Sequence, residues 1–136
     1  MEDKRNDKRA AAAATATTPE NKNQAEYTTP EWYTQGMQLA EENIWRIVHE
    51  LLERKIEILS VEVRPDYIRH TVERKIYFWH ECAGAMARYA EERGSGRQKM
   101  SRTYGASQKY REWYWIIDDV RIYCLPTEEE WNRETL

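Results

Sequence analysis

Ile56-Glu-Ile-Leu-Ser-Val-Glu-Val-Arg-Pro-Asp-Tyr-Ile-Arg-His-Thr-Val-Glu-Arg-Lys-Ile-Tyr-Phe-Trp-His-Glu-Cys-Ala-Gly-Ala-Met-Ala-Arg-Tyr-Ala-Glu-Glu92 is the stretch on which the fold turns. Its first part, Ile56 to Val63, is β-branched and partly alternating. It fits a short strand, and it also fits a continuation of the preceding helix toward Leu59. Arg64-Pro65-Asp66 is a break, because proline holds Arg64 extended and can then open a helix. Beyond it, Ile68, Val72, Ile76, Trp79, Ala83, Met86 and Ala90 recur at spacings of three and four. That spacing predicts a helix from about Asp66 to Glu92, roughly 40 Å long. Ala83, Gly84, Ala85 and Ala87 give its later half a small face that another backbone can approach.

Upstream, Thr29-Pro30-Glu31 has the form of a helix start: a capping residue, proline at the first helical position, then an acid. Tyr33, Met37, Ala40, Ile44, Ile47 and Leu51 follow at alternating spacings of four and three, widened by Val48 and Leu52. This predicts an amphipathic helix running at least to Lys55. Two long helices joined by a short break return antiparallel. Downstream, Tyr110, Trp113, Ile117, Val120 and Cys124 fit a helical stripe. Trp115 and Ile117, with Val120, Ile122 and Cys124, fit strand alternation instead; the helix is preferred here. After Pro126, Thr127-Glu-Glu-Glu130 is a capping box for a short terminal helix to about Arg133. The expected fold is mainly α: an antiparallel bundle of two long and one or two shorter helices.

Residues 1–29 stand apart from residues 30–136 as a low-complexity N-terminal arm, extended or helical. Met1 to Arg9 is almost all charged, and Ala10 to Ala14 is a run of alanines. If residues 2–16 are helical, Lys4, Arg5, Lys8 and Arg9 share one arc. Their i,i+4 neighbours are like-charged, so that basic face is offered outward rather than paired along the helix. A disordered, solubilising leader is the other reading of the same residues.

A second basic concentration lies at 93–111. It holds Arg93, Arg97, Lys99, Arg102, Lys109 and Arg111, no acid, and Tyr104 and Tyr110 among them. Gly94 is placed to cap the preceding helix. The segment is no phosphate-binding P-loop, because no Gly-Lys-Ser/Thr follows Gly94-Ser-Gly96. As a connection between helices it would suit a polyanion: arginine forks meet phosphate oxygens, and tyrosines stack on bases or sugars. The expected interface is therefore Lys4, Arg5, Lys8, Arg9, Arg93, Arg97, Lys99, Arg102, Tyr104, Lys109 and Arg111. No base-reading motif is present, so contact would be with the backbone and independent of sequence.

Composition constrains the rest. The chain has 136 residues, enough for one domain; it is 33% charged and 40% hydrophobic, with six Trp and nine Tyr. That aromatic content argues for a folded core rather than a disordered chain. The balance of Glu, Arg, Tyr, Trp and Ile over Gly suits a thermophile. The net charge of −3 excludes a uniformly basic DNA-binding domain. No apolar run approaches a membrane span, and the N-terminus lacks the apolar region of a secretory signal. Cys82 and Cys124 make at most one bridge. His49, His70 and His80 lack the spacing of a metal site, and Glu50-x-x-Glu53 is only half of a magnesium-binding pair of motifs. No metal, cofactor or catalytic site is expected.

The arm with Lys4, Arg5, Lys8, Arg9 and Ala10–Ala14, the two long helices and the basic 93–111 segment together resemble the coat subunits of filamentous and rod-shaped archaeal viruses. That resemblance implies a helical-bundle, non-enzymatic structural protein that binds double-stranded DNA through its arm, in a virion or host cytoplasm. It also implies pairing with itself or with a related subunit. The acidic net charge departs from that pattern and calls for a more basic partner. The rival expectation is a small viral or mobile-element regulator or inhibitor that binds another protein through its acidic faces and tryptophans.

Overall fold

The computed structural model of the chain describes residues 26–133. The contact pattern divides the chain between Glu31 and Trp32, and the sheet with its packed helices belongs to the unit from Trp32 on. Helix α1 spans Glu31–Glu53. Strands β1 (Ile58–Asp66) and β2 (Thr71–Phe78) form a hairpin, and a 3-10 turn (His80–Cys82) leads into helix α2 (Ala83–Glu91). Strands β3 (Gln98–Tyr104), β4 (Gln108–Ile117) and β5 (Val120–Cys124) make a meander, and helix α3 (Glu128–Arg133) comes last. The five strands form one sheet in the order β1-β2-β5-β4-β3. All neighbours are antiparallel except β2 and β5, which run parallel.

The fold is therefore mixed α/β and not a helical bundle. The helix expected over Asp66–Glu92 is instead the end of β1, a turn, β2 and the short α2. The reason lies in the spacing. Val72 and Ile76 are four apart, which is one helical turn but also two strand repeats. The discriminating positions are Phe78, buried on the face of Val72 and Ile76, and Arg74, which masks the alternation between them. Ile68, counted in the helical stripe, is 92% exposed at the hairpin tip. There Asp66 Oδ1 accepts the Ile68 and Arg69 N–H groups, at 3.0 and 3.1 Å, and closes the turn.

The stretch 113–124 corrects in the same way. Trp113, Trp115, Ile117, Val120, Ile122 and Cys124 alternate along β4 and β5 and are all buried. Asp118 and Asp119 both have positive φ (50° and 63°), as the two central residues of a primed hairpin turn do. Ile56–Val63, left open between helix and strand, resolves largely into β1. Helix α1 stops short of it because Lys55 adopts φ 63°. Ile56 N–H then bonds Leu51 O and Lys55 N–H bonds Leu52 O, a Schellman end without glycine. Helix α2 ends the same way at Gly94, where the sequence expects it (φ 73°; Ser95 N–H to Ala90 O, Gly94 N–H to Glu91 O). The Thr127–Glu130 capping box forms reciprocally, with bonds of 2.8 and 3.1 Å.

All three helices lie on one side of the sheet. The core joins Ile44, Ile47 and Leu51 of α1 and Met86, Tyr89 and Ala90 of α2 to the inward residues of β2, β4 and β5, with Trp131 of α3 packed against its margin. Helix α1 comes so near β2 that a Cβ at Gly36 would run into the Val72 Cγ2 methyl. At the helix start, Trp32 stacks on His70 (5.2 Å between centroids) and meets Tyr67 edge-on, pinning the β1–β2 turn. No helix among the described residues is long and apolar enough to cross a membrane.

Candidate nucleic-acid interface

Side chains alternate across a strand, so the residues that do not face the helices share the opposite face of the sheet. Register places Tyr77, Tyr123 and Tyr114 side by side on β2, β5 and β4. The Tyr77 and Tyr123 rings stack at 5.0 Å. Lys75 and Arg121 form the next row. Arg121 reaches along the sheet with its guanidinium 3.5 Å over the Tyr114 ring and ends on Glu112, at 2.6 and 2.7 Å. The Tyr110 hydroxyl donates to the other Glu112 oxygen at 2.5 Å. Burial pushes the Tyr110 hydroxyl well above its usual range, and the neighbouring Glu112 carboxylate adds to the effect. Tyr110 is thus a neutral donor at any physiological pH. Glu112 is 3% exposed although it lies on the side away from the helices.

A cleft of about 610 Å³ opens on this face and spans four strands. Arg69, Lys75, Arg102 and Arg121 line it, against Glu73, Glu112 and Asp119, and Arg74, although of the opposite parity in β2, also borders it; Tyr104, Tyr110 and Met100 add apolar surface. Arg121 is held by Glu112, and Arg74 Nε bonds Val72 O at 3.3 Å. Lys75 and Arg102 have no ion-pair partner among the described residues. The cleft therefore combines two tyrosines, Tyr104 and Tyr110, with cations from several strands.

The expected interface residues do not form one site. The segment 93–111 is not a loop between helices but the end of α2, a short link and the β3–β4 hairpin. Arg93 is tied to Glu50 at 2.7 Å and lies 4.1 Å over the Tyr89 ring. Tyr89 also donates to Glu50, at 2.5 Å; burial, then this bond, raises its hydroxyl far above the usual range. Arg97 stacks over Trp113 at 4.7 Å, on the helix side. Lys99 lies 5.4 Å over Trp131, and Arg111, 19% exposed, sits 3.9 Å from Glu128. Lys109 is exposed opposite Thr103, on the same side as these. Only Arg102, Tyr104 and Tyr110 join the cleft. Lys4, Arg5, Lys8 and Arg9 lie outside the described residues.

Sequence reasoning missed Lys75, Tyr77, Tyr114, Arg121 and Tyr123. The signal was present as the second parity of β4 and β5, Tyr110, Tyr114, Arg121 and Tyr123. It becomes visible only once those segments are taken as strands.

Other chemistry is placed too. His80 Nδ1 meets Glu130 at 2.9 Å, joining the 3-10 turn to α3. Among the described residues, no three His, Cys, Asp or Glu side chains converge as a metal site. Both cysteines are free. Of the six tryptophans expected to serve a protein interface, Trp113 and Trp115 are buried, Trp32 and Trp131 are half-buried, and Trp45 and Trp79 are exposed. Compared with family models, characterised proteins and solved structures, the chain matches none, so its functional reading rests on these residues alone.

Proposed function

We propose that this chain is a nucleic-acid-binding protein that takes a single strand across the uncovered face of its sheet, holding it by stacking and phosphate contact without reading sequence. The observation that carries this is the cleft itself, lined by Tyr104 and Tyr110 and by Lys75 and Arg102, which have no ion-pair partner among the described residues. An exposed tyrosine such as Tyr104, 51% exposed, suits unpaired bases, which have faces to offer, whereas a duplex offers only edges and phosphates. For that reason the double-stranded DNA expected from the sequence gives way to a single strand. The coat-protein resemblance drew on two long helices, and one of them is a hairpin and a short helix here. The proposal is carried by the sheet and not by that resemblance.

The test is fluorescence anisotropy with a labelled mixed-sequence twenty-nucleotide DNA and its RNA counterpart. Binding should appear at 50 mM salt. With about three phosphates neutralised, by Arg69, Lys75 and Arg102, affinity should fall about twentyfold between 50 and 200 mM salt. Tyr104→Ala should weaken binding by roughly 1–3 kcal/mol. A Lys75→Glu/Arg102→Glu chain that folds normally should lose binding. No binding to either strand at 50 mM salt would end this reading.

A further inference from the structure

The two edges of the sheet are finished differently. The β1 edge is blunted by an irregularity between Ile58 and Ser60 and by Pro65, and it carries Glu62 and Asp66. The β3 edge has none of these devices. It pairs with β4 through seven consecutive residues without a register shift, contains no proline and no acid, and exposes every residue but Met100. It is the last strand in the sheet, so its outer backbone groups face no strand among the described residues. Such an edge is a template for another strand, and cationic side chains are the usual deterrent. Here the cations are Lys99 and Arg102.

We propose that β3 pairs with β3 of a second copy, antiparallel about a two-fold axis at Ser101, and that a bound nucleic-acid strand is what permits the pairing; the second half of this rests on the single-strand reading of the cleft. An axis at Ser101 engages all seven residues. It sets Lys99 opposite the second copy's Thr103, Met100 opposite its Arg102, and Gln98 opposite its Tyr104. No cation directly faces a cation. The two Arg102 side chains do meet on the diagonal, roughly 7–8 Å apart, and on the face that carries the cleft. Alone they repel. A phosphodiester lying between them satisfies both forks and turns the repulsion into a bridge. The product is a ten-stranded sheet with the two clefts on one face, so a strand leaving one copy enters the other. An axis at Arg102 would stack that residue on itself and is disfavoured.

The experiment uses the full chain. Sedimentation should give a monomer alone and a dimer with a twenty-nucleotide oligothymidylate at low salt. Ser101→Cys should form a disulfide-linked dimer on the strand, with Thr103→Cys and the wild type, which keeps Cys82, as controls that do not. Thr103→Glu places a carboxylate opposite the second copy's Lys99, and Arg102→Gln removes the repulsion. Both should dimerise with no strand present, while Thr103→Lys should stay monomeric with it. If the strand binds but Ser101→Cys, Thr103→Glu and Arg102→Gln all remain monomeric, edge pairing is overturned and strand binding stands. If no strand binds yet those variants pair, the strand is overturned as the trigger and the edge contact stands.

Discussion

At the scale of single residues, several positions play parts that their chemistry alone does not announce. Lys55 ends α1 in the left-handed region, a role that usually falls to glycine. The end of α1 was accordingly illegible, while the end of α2, marked by Gly94, was not. Asp118 and Asp119 look like a solvated acidic pair and instead make the tight turn between β4 and β5. The cysteines separate by burial. Desolvation pushes the Cys124 thiol up to about 12, with Glu130 and Glu112 adding to it. Cys82 is only half-buried and accepts the Glu57 N–H at 3.4 Å. In the folded protein at pH 8, a disulfide reagent such as DTNB should therefore titrate one thiol per chain, Cys82, and reach Cys124 only on unfolding. Two fast thiols would contradict the burial of β5.

At the scale of elements, α1 was legible because its apolar stripe is long, one-sided and opened by Thr-Pro-Glu. The sheet was not, because spacings of four serve helix and strand alike and Arg74 interrupts the inward face of β2. Packing at Gly36 makes a test of the helix–sheet approach. An alanine there gains up to about 1 kcal/mol in helix propensity but must displace Val72, and overpacking costs about 1–3 kcal/mol. Gly36→Ala should therefore lower stability by about 1 kcal/mol in chemical denaturation. A stabilised variant would mean that α1 sits farther from β2. Helix α3 is fastened through Glu130. Burial raises this carboxyl, but the Thr127 N–H and His80 more than offset that, so its pKa lies below the usual 4.5. A lowered folded pKa contributes stability that is complete above the unfolded value and is lost as pH falls through the folded one. The difference in melting temperature between wild type and Glu130→Gln, present above the usual 4.5, should shrink as pH falls below it through the lowered folded value. A difference that does not shrink would assign the effect to packing.

At the scale of the whole molecule, the sheet sorts its residues onto two sides. Helices, Trp113, Trp115 and most of the 93–111 cations go to one; the tyrosine row, Lys75, Arg102 and Arg121 go to the other. A contiguous basic segment in sequence is thus divided by strand parity, and residues more than 40 positions apart, such as Tyr77 and Tyr123, become neighbours. The candidate interface was legible only in Arg102, Tyr104 and Tyr110, because a sheet face is assembled from alternate residues of distant strands. The central claim is that nucleic acid lies on this face. Backbone NMR of the labelled chain, titrated with oligothymidylate at 50 mM salt, tests it most directly. The account predicts the largest shift changes at Lys75, Arg102, Tyr104, Tyr110 and Arg121, with the α1 and α2 signals little moved. Changes centred on the helices, or none at all, would contradict it.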